Sequence, residues 1–98
     1  VEALMFAFGS AKWPGIAKLV EEAGEVAQVC GKLMMTLGEV MHWEGTDLKI
    51  RLEDEIADVM AACHFVLAYC DLDIARVTAR TKEKVATFDR WHREARNA

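Results

Sequence analysis

A chain of 98 residues with a net charge of −4 makes one domain, spanning 1–98, and is too acidic for a general nucleic-acid binder, which needs a basic face. Hydrophobic residues make up 53% of it, more apolar surface than a lone domain of this length can hide, so we expect a homo-oligomer, a homodimer or homotetramer, packed through helices. The longest apolar stretch, 59–70, is too short to cross a bilayer and contains His64, and nothing reads as a signal segment, so no membrane association is expected.

Residues 1–8 read as the end of a short apolar helix, broken at Gly9-Ser10. Trp13-Pro14-Gly15 is a turn, with Pro14 suited to a helix entry. From Ile16 the apolar positions Leu19, Val20, Ala23, Val26, Ala27, Cys30, Leu33, Met34 and Leu37 keep helical spacing, and Gly38 weakens the end. HWEGT, 42–46, is a loop, and Thr46 or Asp47 can cap the next helix. That helix runs from about Leu48 to Tyr69, with its stripe at Leu48, Leu52, Ile56, Val59, Cys63, Val66 and Leu67. Asp73 can cap a last helix from Ile74 to roughly Arg93, with Val77, Val85, Phe88 and Trp91 apolar. No β-type alternation appears, so the fold class is all-α, a small helical bundle.

Charge is uneven along the chain. Residues 21–58 hold ten acids and three bases, whereas 76–98 hold seven bases and three acids. An acidic middle can hold cations. A basic last helix can hold phosphate or simply balance the middle. Cys30, Cys63 and Cys70 lie in apolar helical stretches without zinc-type spacing, so they are expected to be buried thiols in a reducing, cytoplasmic setting.

The acids are the informative residues. Glu21, Glu22 and Glu25 fall on the first long helix, and Glu55 and Asp58 on the next. Residues three apart share a helix face, so each helix offers two carboxylates from the edge of its core stripe. Ala23, Gly24, Ala57, Ala61 and Ala62 are small enough to let the two helices approach, and Lys18 and Lys32 place cations beside the acids. Four carboxylates gather only around a compensating cation, and an all-oxygen ligand set suits Mg2+ or Mn2+ rather than zinc. An acid-rich helix face is also ordinary as a solvated surface.

The segments KLVEEAGEVAQVCGKL and LEDEIADVMAA resemble the signature of the MazG-like all-α nucleoside triphosphate pyrophosphohydrolases, EExxE followed by ExxD on the next helix. The similarity continues through HWEG and RTKEKVATFDRWH and covers roughly 13–92. It implies Mg2+ held by Glu22, Glu25, Glu55 and Asp58, with Mn2+ as a substitute. Glu21 is the remaining motif acid, positioning a water or Lys18 or simply solvated, and with Glu22 it makes the implied catalytic pair. The implied reaction cleaves a nucleoside triphosphate to the monophosphate and pyrophosphate, a form of nucleotide-pool house-cleaning. Two features depart from the pattern. The 29 residues between Glu25 and Glu55 are toward the long end, and Thr87 and Asp89 stand where many relatives carry an Asn and a basic residue.

The substrate side carries alternatives. Trp13 can stack on a base or staple the helix entry, and His42 and Trp43 can touch substrate from their loop. Lys82 and Lys84 can reach phosphates or pair with the acidic middle, and Lys18 sits beside the acids. His64 reads as a core histidine. Two other functions remain open: a related enzyme acting on phosphoribosyl-ATP or a dUTP- or dCTP-type substrate, and a non-enzymatic helical interaction module.

Overall fold

The computed structural model describes residues 3–4, 11–40 and 47–98, and these form an all-α protein without strands. The three long helices are α1 (Ile16–Met35), α2 (Leu48–Tyr69) and α3 (Ile74–Asn97). Residues 3 and 4 are also helical, while the rest of the expected first helix and the 42–46 loop, with His42 and Trp43, lie outside the described residues.

Each helix boundary has a local cause. Gly15 precedes α1 at φ 82°, a left-handed conformation that L side chains enter at a cost. The entry turn closes with Ile16 N–H donating to Trp13 O at 3.1 Å and Leu19 N–H to Gly15 O at 3.0 Å. At the other end, Gly38 N–H donates to Leu33 O and Leu37 N–H to Met34 O, the Schellman pattern that satisfies the last carbonyls. α1 therefore ends at Met35, with Gly38 just past its end at φ 89°. Leu37 occupies the left-handed position of that motif at φ 57°.

Asp47 caps α2, its Oδ1 accepting from Lys49 N–H at 2.9 Å and Ile50 N–H at 3.1 Å. Leu48 N–H donates to Val40 O at 2.8 Å. Asp73 caps α3 through Arg76 N–H at 3.0 Å. That helix continues to Asn97, one turn beyond the expected end near Arg93, because nothing in HREARN breaks it.

α1 and α2 pack as an antiparallel pair. Cys70 Sγ lies 3.4 Å from Pro14 O, Phe65 lies against Gly15, and the acids of the two helices meet at Glu22 with Asp58 and Glu25 with Glu55. Among the described residues, Val29 from α1 and Leu48, Ala62 and Val66 from α2 are the buried apolar side chains. Leu19, Val26, Leu33, Leu52, Val59 and Leu67 are half-buried around them.

The apolar stripes expected from spacing divide in two. One half lines the α1–α2 seam. The other half, Val20, Ala23, Ala27, Cys30 and Met34 on α1 with Ile56 and Cys63 on α2, is exposed, as is the neighbouring Met60. Cys30 and Cys63 are thus open in the single chain and not buried as their apolar neighbours suggested, and only Cys70 is half-buried. His64 is exposed too, one step round the helix from the seam, and is not a core histidine. α3 buries none of its residues, so Val77, Val85, Phe88 and Trp91 are exposed. The chain spans 46 × 36 × 16 Å with a radius of gyration of 16.6 Å. A compact domain of this length should have a radius near about 13 Å.

Candidate metal centre

Glu22 sits seven residues before Val29, and Glu55 seven before Ala62, so each acid holds a seam position that an apolar residue holds two turns later. The α1–α2 packing therefore drives acids together. Carboxylate oxygens of Glu22, Glu25, Glu55 and Asp58 all lie within 4.8 Å of one another. Glu22 is only 7% exposed, Glu25 and Glu55 are half-buried, and Asp58 opens the group to solvent.

Two bases pair with acids of the group from their own helices. Lys18 Nζ lies 3.4 Å from Glu22 Oε1 and 3.3 Å from Glu21 Oε1, and Arg51 Nε lies 3.9 Å from Glu55 Oε1. The second oxygens, Glu22 Oε2 and Glu55 Oε2, are buried with no hydrogen-bond partner. A buried carboxylate oxygen without a donor is costly, and here one from each helix is left so.

Electrostatics agree with that geometry. Burial pushes the Glu22 carboxyl above its ordinary range, against the lowering effect of Lys18, and the Glu25 and Asp58 charges add to the rise. Glu25 is raised chiefly by its hydrogen bond with Glu55, then by burial and by the charges of Glu55 and Glu21. Lys18 is raised by its bond to Glu21 first, and by Glu22. The four carboxylates thus carry more negative charge than Lys18 and Arg51 offset.

The donor set fits a hard divalent cation. All four ligands are oxygens on two facing helices, and the two orphaned atoms are what an ion would satisfy. Beside the group opens a cleft of about 350 Å³, lined by Lys18, Glu22, Asp58, Ala61, Ala62 and Phe65. Phe65 stacks on Tyr69 with ring centroids 4.3 Å apart, giving the cleft one aromatic wall.

The other expected site residues are placed as follows. Glu21 is exposed, paired with Lys18, and outside the group of four. Trp13 is half-exposed in the entry turn and does not line the cleft. Lys82 and Lys84 lie on α3, and neither lines the cleft; Lys84 sits 5.8 Å above the Phe88 ring instead. Within one chain, then, the α3 lysines do not join the acids.

Two residues went unnoticed in the sequence. Arg51 stands four residues before Glu55, the ordinary spacing of a helical ion pair, and was legible on that ground. Phe65 has no such signal, since its place in the cleft comes from packing against Gly15. Neither a scan against protein-family models nor searches of curated proteins and of solved structures found a match to this chain.

Proposed function

We propose that this protein is a magnesium-dependent pyrophosphohydrolase of the MazG-like kind, cleaving a nucleoside triphosphate to the monophosphate and pyrophosphate. The observation that carries the proposal is the pair of buried, unpartnered oxygens of Glu22 and Glu55 within a group of four carboxylates. The EExxE and ExxD spacing supplies the link to nucleotide chemistry.

Glu22, Glu25, Glu55 and Asp58 would hold the ion, with Mn2+ able to replace Mg2+. Bound there, it would supply neutralisation of phosphate charge and a water made acidic enough to attack phosphorus. Lys18, at the rim of the cleft, adds a fixed positive charge for a phosphate oxygen. Glu21 lies beside the group without belonging to it, so it is the carboxylate left to take the proton of the attacking water. The aromatic and alanine walls of the cleft suit a flat ring beside the phosphates.

The test is pyrophosphate release from a panel of ribo- and deoxynucleoside triphosphates, with phosphoribosyl-ATP included, with and without Mg2+. Metal-dependent release with monophosphate as co-product, lost in folded Glu25→Ala and Asp58→Ala proteins, supports the proposal. No turnover of any member by a folded protein would leave a helical interaction module as the better reading.

A further inference from the structure

The carboxylates and the cleft beside them lie along one row of α2, and that row has two unlike ends. Arg51, Asp58 and Phe65 follow one another by sevens, so they share a helix face that turns by only about 20° at each step. Asp58 stands in the middle, about 10.5 Å along the axis from each of the other two. On α1 the matching row is Lys18, Glu25 and Lys32, again by sevens. The helices run antiparallel with Glu25 against Glu55, and Lys18 lines the cleft with Phe65. Lys32 therefore falls at the Arg51 end of the row.

The Phe65 end suits a ring. Tyr69 stacks on Phe65 with centroids 4.3 Å apart, and the Gly15 backbone closes on its Cδ1 and Cε1 atoms. An aromatic side chain held from two sides offers a stacking surface that binding does not have to order first. Ala61 and Ala62 leave the cleft of about 350 Å³ open beside it, and Lys18 is the one cation among the cleft's lining residues.

The Arg51 end suits anions. Arg51 Nε lies 3.9 Å from Glu55 Oε1, so the guanidinium leans toward the carboxylate group. That distance is beyond hydrogen-bond reach, so this pair uses none of the five guanidinium donors. The Arg51 side chain is 31% exposed and open to a ligand. A planar guanidinium takes phosphate oxygens two at a time, and Lys32 adds a second positive charge on α1. Asp54, the other acid nearby on α2, stands about 60° further round from the seam than Arg51.

We infer that the site has a direction: a nucleoside triphosphate lies along α2 with its base against Phe65 and its two terminal phosphates at Arg51. The phosphate nearest the sugar then falls beside the four carboxylates, between the two ends. Arg51 is left holding the pyrophosphate. This rests on the pyrophosphohydrolase reading and adds to it which residue receives which part of the substrate.

Isothermal titration calorimetry in the presence of Mg2+ tests it without turnover. The probes are the uncleavable α,β-methylene analogues of the adenine, guanine, cytosine and uracil nucleoside triphosphates, the matching monophosphates, and tripolyphosphate, which has no ring. Variants are compared once circular dichroism shows the wild-type fold. Phe65→Leu should weaken the best-bound analogue at least roughly tenfold and leave tripolyphosphate within about twofold. Phe65→Tyr keeps the ring and should bind as wild type does. Arg51→Gln should weaken the analogue and tripolyphosphate at least roughly tenfold and leave the monophosphate within about twofold. No loss in either variant overturns the inference. So does an equal loss of nucleotide and tripolyphosphate with Phe65→Leu, or of triphosphate and monophosphate with Arg51→Gln, because a merely loosened site would do the same. A wild type that binds none of the analogues also overturns it. Saturable Mn2+ binding by that same protein would then leave the metal centre standing, and its absence would remove both.

Discussion

Gly15 and Gly24 make a pair of substitutions with opposite expected signs. A Cβ at Gly15 would lie 2.6 Å from Phe65 Cδ1 and 3.0 Å from Cε1, on a backbone at φ 82°. The left-handed conformation costs an L residue about 1–2 kcal/mol. Forcing the Phe65 ring aside adds overpacking of about 1–2 kcal/mol, since that ring is also stacked on Tyr69. Gly15→Ala should therefore destabilise by about 3 kcal/mol, lowering Tm by about 12–24 °C in a domain of this size. Gly24 is interior to α1, and a Cβ there meets nothing within 4 Å. Gly24→Ala should stabilise by about 0.5–1 kcal/mol, raising Tm by a few degrees. The assay is thermal unfolding by far-UV circular dichroism at one fixed protein concentration, because the midpoint of an oligomer depends on it. In a Phe65→Ala background, Gly15→Ala should lose the overpacking part of its cost and keep the backbone part. A Gly15→Ala protein with an unchanged midpoint would refute the reasoning, as would an equal cost of Gly15→Ala with and without the Phe65 ring.

Other outcomes follow from the caps and the charges. Leu37→Gly relieves the left-handed Leu at the end of α1 and should add about 1 kcal/mol by denaturant unfolding. Asp47→Ala removes the acceptor for two backbone N–H groups and should cost about 1 kcal/mol in the same experiment. The Glu22 and Glu25 carboxyls titrate above their ordinary 4.5 in the fold, so their charged forms penalise the metal-free protein. That penalty is absent below the unfolded range and grows as pH rises from 4.5 through the raised values, so metal-free stability should fall across that window. Glu25→Gln should flatten the fall and raise the metal-free Tm at neutral pH, read by calorimetry across pH. A steeper fall in the variant would contradict the assigned direction.

The long helices and both Asp caps were legible because period and capping act locally. Asp47 and Asp73 stand just before apolar-periodic runs, and the α2 limits at Leu48 and Tyr69 follow from them. What spacing could not show was which half of a broad stripe meets the neighbouring helix. Leu19, Val26 and Leu33 turn toward α2, while Val20, Ala27 and Cys30 turn away, though all belong to one helical pattern. That choice is made by tertiary packing, and here it also decides the fate of the cysteines. The acids were legible as a group from their spacing. The burial of Glu22 was not read, although its position seven residues before Val29 contains it. The place of the α3 lysines was not legible for a different reason: charge says what a helix can bind, and says nothing of where a separate helix lies.

The central claim is that two helices hold four carboxylates for a divalent cation. The most direct test is a Mn2+ titration of the metal-free protein followed by electron paramagnetic resonance of the unbound ion, beside Glu25→Gln and Asp58→Asn. The account predicts saturable, stoichiometric binding displaced by Mg2+, at least roughly tenfold weaker in either variant while both stay folded. Equal, weak, unsaturable binding by all three proteins is what scattered surface acids would give, and it would contradict the account.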